Sequence, residues 1–206
     1  MTRFLPCLLA GLGALALASC ASAPVRYYTL VAPPATTAAP TATKLAFELL
    51  PVSIPAQVDR PQLVVRSGEQ DMQLLNGERW IAPLADEVHA ALAADLAQAL
   101  PGRDVGTVPA AGTPRLRIKL DVQRFDSQPG QDVLLAGTWS VRKLDATRGA
   151  NTAPVVVCTD SVREAVDAGY PALVAGHQRA LAQVAAHIAR AARAVADGQP
   201  ASCPAS

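Results

Sequence analysis

The feature that most limits what this chain can become is the run Arg115 to Phe125. Leu116, Ile118, Leu120 and Val122 fall on one side of a period-two pattern, and Arg115, Arg117, Lys119 and Asp121 fall on the other. Strict alternation over this length predicts a strand with one face in a core and one in solvent. Gln128-Pro129-Gly130 turns the chain, and Val133 to Val141 alternates again, with Val133, Leu135, Trp139 and Val141 sharing a face. Pro154 to Ala165 completes an expected antiparallel meander of three strands.

That half-buried surface needs a cover, and Tyr170 to Asp197 supplies one. Leu173, His177, Leu181, Val184, Ile188, Ala191 and Val195 recur at three- and four-residue intervals, one stripe of a long helix ended by Gly198 and Pro200. A second helix begins near Pro83, a residue suited to a first turn where its missing N–H costs nothing. Leu84, Val88, Leu92 and Leu96 form its stripe, Asp95 sits at the stripe's edge, and Pro101-Gly102 ends it. Shorter strands are expected at 27–31, 45–54, 62–66 and 71–75, the last two as a hairpin about Gly68. Strands, helix, strands, helix describes an α+β domain: an antiparallel or mixed β-sheet with two main helices packed against it.

The N-terminus sets where such a domain would be held. Arg3 precedes an uncharged apolar run from Phe4 to Ala18, too short for a membrane-spanning helix, which needs about 20 apolar residues. A positive start, a short apolar core and small residues at the exit read as a secretory signal over 1–19. It ends Leu17-Ala18-Ser19-Cys20, which resembles the bacterial lipobox. In that resemblance Cys20 receives a diacylglyceryl group, the chain is cut before it, and the new amine is acylated. Each buried CH₂ contributes about 0.8 kcal/mol, so two or more acyl chains hold a domain firmly. Ala21, rather than the Asp that favours inner-membrane retention in enteric-type sorting, follows Cys20, so the lipobox resemblance implies the periplasmic face of the outer membrane. Residues 20–26 are then a lipidated cysteine and short tether, of at most about 20 Å. The domain proper spans 27–198, with a Pro/Ala/Thr loop at 32–43 and a flexible tail at 199–206.

Charge and chemistry exclude several classes. Without Arg3, the leader's lone charge, the chain has 17 basic and 17 acidic residues, a poor footprint for nucleic acid. No nucleophile elbow, zinc motif or phosphate-binding glycine loop is present. Of the three histidines, His89, His177 and His187, the first two read either as a metal or acid–base pair across the helix interface or as helical residues satisfied by hydrogen bonds. The Arg115, Arg117, Lys119 strip reads as a solvated strand face or as a surface for acidic partners or lipid headgroups. Cys158 and Cys203 remain after processing. An oxidising periplasm permits a disulfide between them, against the alternative of two free thiols. No metal-ligand spacing surrounds either, so neither a metal nor a cofactor is expected beyond the lipid on Cys20.

Several stretches resemble a known family. Arg26-Tyr27-Tyr28-Thr29-Leu30 follows Cys20 closely. Pro51-Val52-Ser53-Ile54-Pro55 leads to Val58-Asp59-Arg60-Pro61-Gln62-Leu63-Val64, and Glu78-Arg79-Trp80-Ile81-Ala82-Pro83-Leu84 opens a helix. In order and spacing these resemble the ABC-type transport auxiliary lipoproteins, the family of PqiC-like, membrane-integrity-associated transporter subunits. The resemblance implies a non-enzymatic subunit of a lipid-transport machine. Its partner would be an MCE-domain protein that spans the periplasm and, through it, an inner-membrane permease. Homo-oligomerisation is compatible with such a role.

Within the resemblance, Asp59, Arg60 and Pro61 are the expected partner contact, flanked by Arg79 and Trp80. Pro61 marks an edge or strand start, and Arg60 offers a five-donor fork. The alternative is an internal Asp59–Arg60 turn that only fixes the fold. Trp80 itself reads both as core and as an interface anchor. An envelope-structural lipoprotein without a transport role is the competing function.

Overall fold

The structure is a computed structural model and describes residues 24–33, 45–100, 102–104, 115–144 and 155–204. Its strands are β1 (Arg26–Tyr28), β2 (Leu45–Leu49), β3 (Gln62–Arg66), β4 (Met72–Trp80), β5 (Gly102–Asp104), β6 (Arg115–Gln128), β7 (Asp132–Leu144) and β8 (Val155–Ala165). Two helices, α1 (Leu84–Ala99) and α2 (Tyr170–Ala196), complete the described elements. The α+β expectation holds, with two mixed sheets. The signal segment, Cys20 and most of the 32–43 loop lie outside the described residues.

The meander forms as the alternation demands. β7 pairs antiparallel with β6 on one side and β8 on the other, and β2 and then β5 extend this sheet in parallel. Leu116, Ile118, Leu120 and Val122 are buried on β6, as are Val133, Leu135, Trp139 and Val141 on β7. Past Val122 the pattern changes phase, and Phe125 and Ser127 become the buried residues. A β-bulge between Val122 and Arg124 is the cause: it places an extra residue in β6 and turns its other side inward. Gly137 sits opposite the bulge, where an added Cβ would lie 2.5 Å from the Asp121 carbonyl oxygen. Only glycine permits the two backbones to approach this closely.

α2 covers the inner face of β7 and β8, and α1 packs chiefly along α2. Every residue of the expected α2 stripe is buried. Ala180, Ala185, Ala189 and Ala192 are buried with them, and their small side chains let neighbouring elements come close. Gly169, at φ 99°, precedes the helix, and Gly198, at φ 69°, follows it; both are left-handed positions that favour glycine.

A second sheet was not evident in the sequence pattern. It has three strands in the order β1-β4-β3, with β1 parallel and β3 antiparallel to β4. β4 runs five residues beyond the expected hairpin arm. Its register against β3 jumps from Leu63↔Leu75 to Gln62↔Arg79, so Asn76, Gly77 and Glu78 form an irregular insertion. β2, in contrast, ends at Leu49, short of the expected 54, because Pro51 cannot donate to a ladder. The chain still follows β6: Leu50 N donates to the Ile118 carbonyl at 2.9 Å, and Val122 N donates to that of Ser53 at 3.0 Å.

Candidate interaction surface

The three stretches that carried the family resemblance are distant in sequence and meet at one corner of the small sheet. Arg26, Tyr27 and Tyr28 pair with Glu78, Arg79 and Trp80. Trp80 N donates to the Pro61 carbonyl and Ile81 N to that of Tyr28, each at 2.9 Å. The loop from Val58 to Pro61 thus closes one side of this junction and β1 the other.

Two carboxylates lock β1 and the segment after it to the body. Glu78 is 8 % exposed; its Oε1 accepts from Arg26 Nε at 3.0 Å, and its Oε2 from the Tyr28 hydroxyl at 2.6 Å. Burial, reinforced by this bond to Glu78, pushes the Tyr28 phenol up to about 12. The bond to Glu78, then its charge, also holds the Arg26 guanidinium above its ordinary value. Glu87, in the first turn of α1, is 4 % exposed and accepts from Thr29 Oγ1 at 2.8 Å and from Leu30 N at 2.7 Å. Gln178 of α2 donates to the Thr29 carbonyl at 3.2 Å. The two buried acids act as clamps: removing Glu87 would leave the buried Leu30 N–H unpaired, and removing Glu78 would release the half-buried Tyr28 hydroxyl and the exposed Arg26 guanidinium. Neither Glu78 nor Glu87 stands out in the sequence; both lie in ordinary amphipathic contexts and acquire their partners only through long-range packing.

The expected site residues divide. Asp59, Arg60 and Pro61 are exposed and Arg79 is half-buried, its Nε donating to the Asn76 carbonyl at 3.2 Å. The backbone of 58–60 is an internal turn: Val58 N and Asp59 N donate to the Pro55 carbonyl, and Arg60 N to that of Val58. Trp80 is 4 % exposed and meets Phe125 edge-on at 6.2 Å between ring centroids. This corrects its reading as a contact residue: its indole supports the corner from inside and offers a partner no surface. Cys158 and Cys203 are joined, with Cα atoms 5.4 Å apart. The tail expected to be flexible is therefore tied to β8, at least through Cys203.

The histidines have separate surroundings. His89 Nε2 lies 3.4 Å from the Leu49 carbonyl oxygen. His177 is fully buried, stacked on Phe125 at 3.8 Å, with Nε2 2.8 Å from Ser127 Oγ. His187 Nδ1 contacts Asp160 at 3.0 Å, and Asp160 also accepts from Trp139 Nε1 at 2.9 Å. In the basic strip, Arg117 pairs with Glu48 and Lys119 with Asp121, at 3.1 and 2.9 Å. Among the described residues no group of three His, Cys, Asp or Glu side chains is arranged to hold a metal ion.

The model of the ABC-type transport auxiliary lipoprotein component matches residues 28–189. This chain belongs to that family. The matched span runs from Tyr28, in the clamped strand, into α2, so it takes in both sheets and both helices. No curated protein matches the chain. Among solved structures, one of an uncharacterised protein superposes with a TM-score of 0.62 at 17 % identity, covering 82 % of this chain and 98 % of its own. A Xanthomonas campestris protein of the DUF330 family superposes with a TM-score of 0.55, also at 17 % identity, covering 84 % and 97 %. At this identity the two establish the shared fold. Among the described residues of this auxiliary lipoprotein no helix is long and apolar enough to cross a membrane.

If the clamp fixes β1, Glu78→Ala should release it. Cleavage by a dilute protease between residues 26 and 31 is expected to become severalfold faster than in the wild type, while the far-ultraviolet circular dichroism stays the same. Equal cleavage rates would mean that backbone pairing alone holds β1.

Proposed function

We propose that this auxiliary lipoprotein is a non-enzymatic outer-membrane subunit of an MCE-type lipid transport system, anchored through acylated Cys20 and docking the periplasm-spanning MCE assembly. It requires no cofactor beyond the lipid on Cys20. The observation that carries the reading is the clamped β1. Six residues after the acceptor cysteine the chain is already fixed to the body by Glu78 and, within four more, by Glu87. A domain held this way is a platform kept within a short, fixed reach of the membrane, as a receiving subunit needs. A domain on a longer free tether would lose that set height.

The docking contact is the loop of Asp59, Arg60 and Pro61, with Arg79 beside it. Their side chains project from a backbone fixed by its own turn and by the Trp80 N to Pro61 carbonyl bond, so little ordering entropy opposes binding. Arg60 is the expected hot spot, since arginine is enriched among residues that dominate interfaces.

The test is affinity purification of the tagged, lipidated protein from crosslinked cells. Recovery of an MCE-domain protein is expected, and Arg60→Ala should reduce it about tenfold, the effect of about 1.4 kcal/mol, with Tm near the wild-type value. Repeated recovery of porins or cell-wall proteins alone would favour the envelope-structural role. A large fall in Tm would assign Arg60 to the fold instead.

A further inference from the structure

The outer side of the small sheet has an unusual surface for a domain so close to a lipid anchor. Cross-strand pairing puts Tyr27, Arg79 and Gln62 in one row, and Leu74 and Met72 lie further along the same side, opposite Val64 and Arg66. The opposite side carries Leu63, Val65, Leu75 and Trp80, all buried, and the exposed Gln73; on the outer side Val64 is buried, at 7 % exposure, beneath its more exposed neighbours. On the outer side Tyr27 is 58 % exposed, Leu74 48 % and Met72 39 %, and Val25, just before β1, is 41 % exposed. Most of the exposed large apolar side chains of the described molecule lie on this small sheet and its margins. The charged strand residues on this side, Arg79 and Arg66, are half-buried and engaged within the domain: Arg79 donates to the Asn76 carbonyl, and Arg66 donates to the Glu69 carbonyl and lies 4.0 Å from the Asp126 carboxylate. Glu69 and Asp71 sit in the β3–β4 turn, at the end of the sheet away from β1.

We propose that this face seats on the phospholipid surface that holds the acyl anchor, as a second membrane contact. The proposal rests on lipidation of Cys20. Two features select this occupant. The chain from Cys20 to Arg26 reaches at most about 20 Å, so β1, and the face it borders, are held within reach of the headgroups. The composition is also that of an interfacial surface: a tyrosine and flexible aliphatic side chains to enter the acyl boundary. Acyl chains alone prevent escape but leave rotation free. A seated face would fix which side of the domain looks away from the membrane.

The test uses the full lipidated protein in vesicles of phosphatidylethanolamine and phosphatidylglycerol. Nitroxide labels are placed at Leu74→Cys, at Tyr27→Cys and, as an aqueous reference, at Ala186→Cys on the exposed side of α2. Mass spectrometry of the purified chain first establishes whether Cys20 is acylated. With an acylated, vesicle-bound protein, the ratio of oxygen to nickel-chelate accessibility at positions 27 and 74 is expected to be severalfold higher than at 186. Equal ratios would overturn the seated face while leaving the anchor intact. Spin–spin broadening at position 74 that grows with protein density would also overturn it, showing that a second copy covers the face. A chain without acylation at Cys20 would remove the underlying anchor reading, and the seat with it.

Discussion

Replacing Cys203 with serine is expected to lower the stability of the domain by about 2–4 kcal/mol, the usual contribution of a native disulfide. The bond joins residues 45 apart in sequence, so its loss frees a long loop in the unfolded chain. It also releases native contacts. Ala201 packs half-buried against the core, and Cys203 lies over the Val157 carbonyl. β8 is the last strand of its sheet among the described residues, and the crosslink holds the tail against it. Urea unfolding without reductant should show a lower midpoint for Cys203→Ser. Added reductant should bring the wild type down to the variant's midpoint and leave the variant unchanged. Equal midpoints in oxidising buffer would show that the crosslink adds nothing to stability.

Legibility in the sequence followed the range of the interactions. Most of the meander and α2 were readable because β6 alternates from Arg115 to Val122, β7 from Val133 to Val141, and α2 keeps one stripe from Leu173 to Val195. The phase change at Phe125 was not, because a bulge leaves no mark in composition; the glycine it requires, Gly137, lies on the neighbouring strand. β5 has three residues, Gly102, Arg103 and Asp104, without strand character, and exists because β2 offers it a parallel edge. The small sheet was legible only in its hairpin. The expected strand stops at residue 75, before the irregular Asn76-Gly77-Glu78 insertion, and the parallel pairing of β1 joins Arg26 to Glu78, 52 residues away.

The candidate surface shows the same division. Each stretch was visible as a motif, and Pro61 as the start of β3. Their meeting was not visible, nor were the carboxylates that make it rigid. Trp80 could be read two ways because alternation in a short strand does not fix which side faces the core. Its contact with Phe125 decides it, and that contact depends in turn on the bulge.

Acidification from pH 7 to pH 5 is expected to cost the wild type about 2 kcal/mol through His177 alone. The side chain is fully buried, and burial pushes it from an ordinary 6.5 down to about 3. The unfolded chain therefore takes up a proton below about 6.5 that the folded chain refuses until about 3. Between these values the unfolded state binds more protons, so stability falls as pH falls, by about 1.4 kcal/mol per unit.

The geometry agrees. Nε2 has Ser127 Oγ, whereas the buried Nδ1 has no partner. The imidazole is best accommodated with its proton on Nε2 and a bare lone pair on Nδ1, because an imidazolium would bury an unpaired donor. Asp121, whose carboxyl is held low chiefly by Lys119 and Ser53, adds acid sensitivity of the same sign, but only below the ordinary carboxylate range. Asp95, raised by burial, acts with the opposite sign. Both are shared by a His177→Gln variant. That variant is expected to be less stable at pH 7 and to lose about 2 kcal/mol less between pH 7 and 5, measured by urea unfolding. Parallel losses in the two proteins would place the acid sensitivity elsewhere and leave His177 as packing alone.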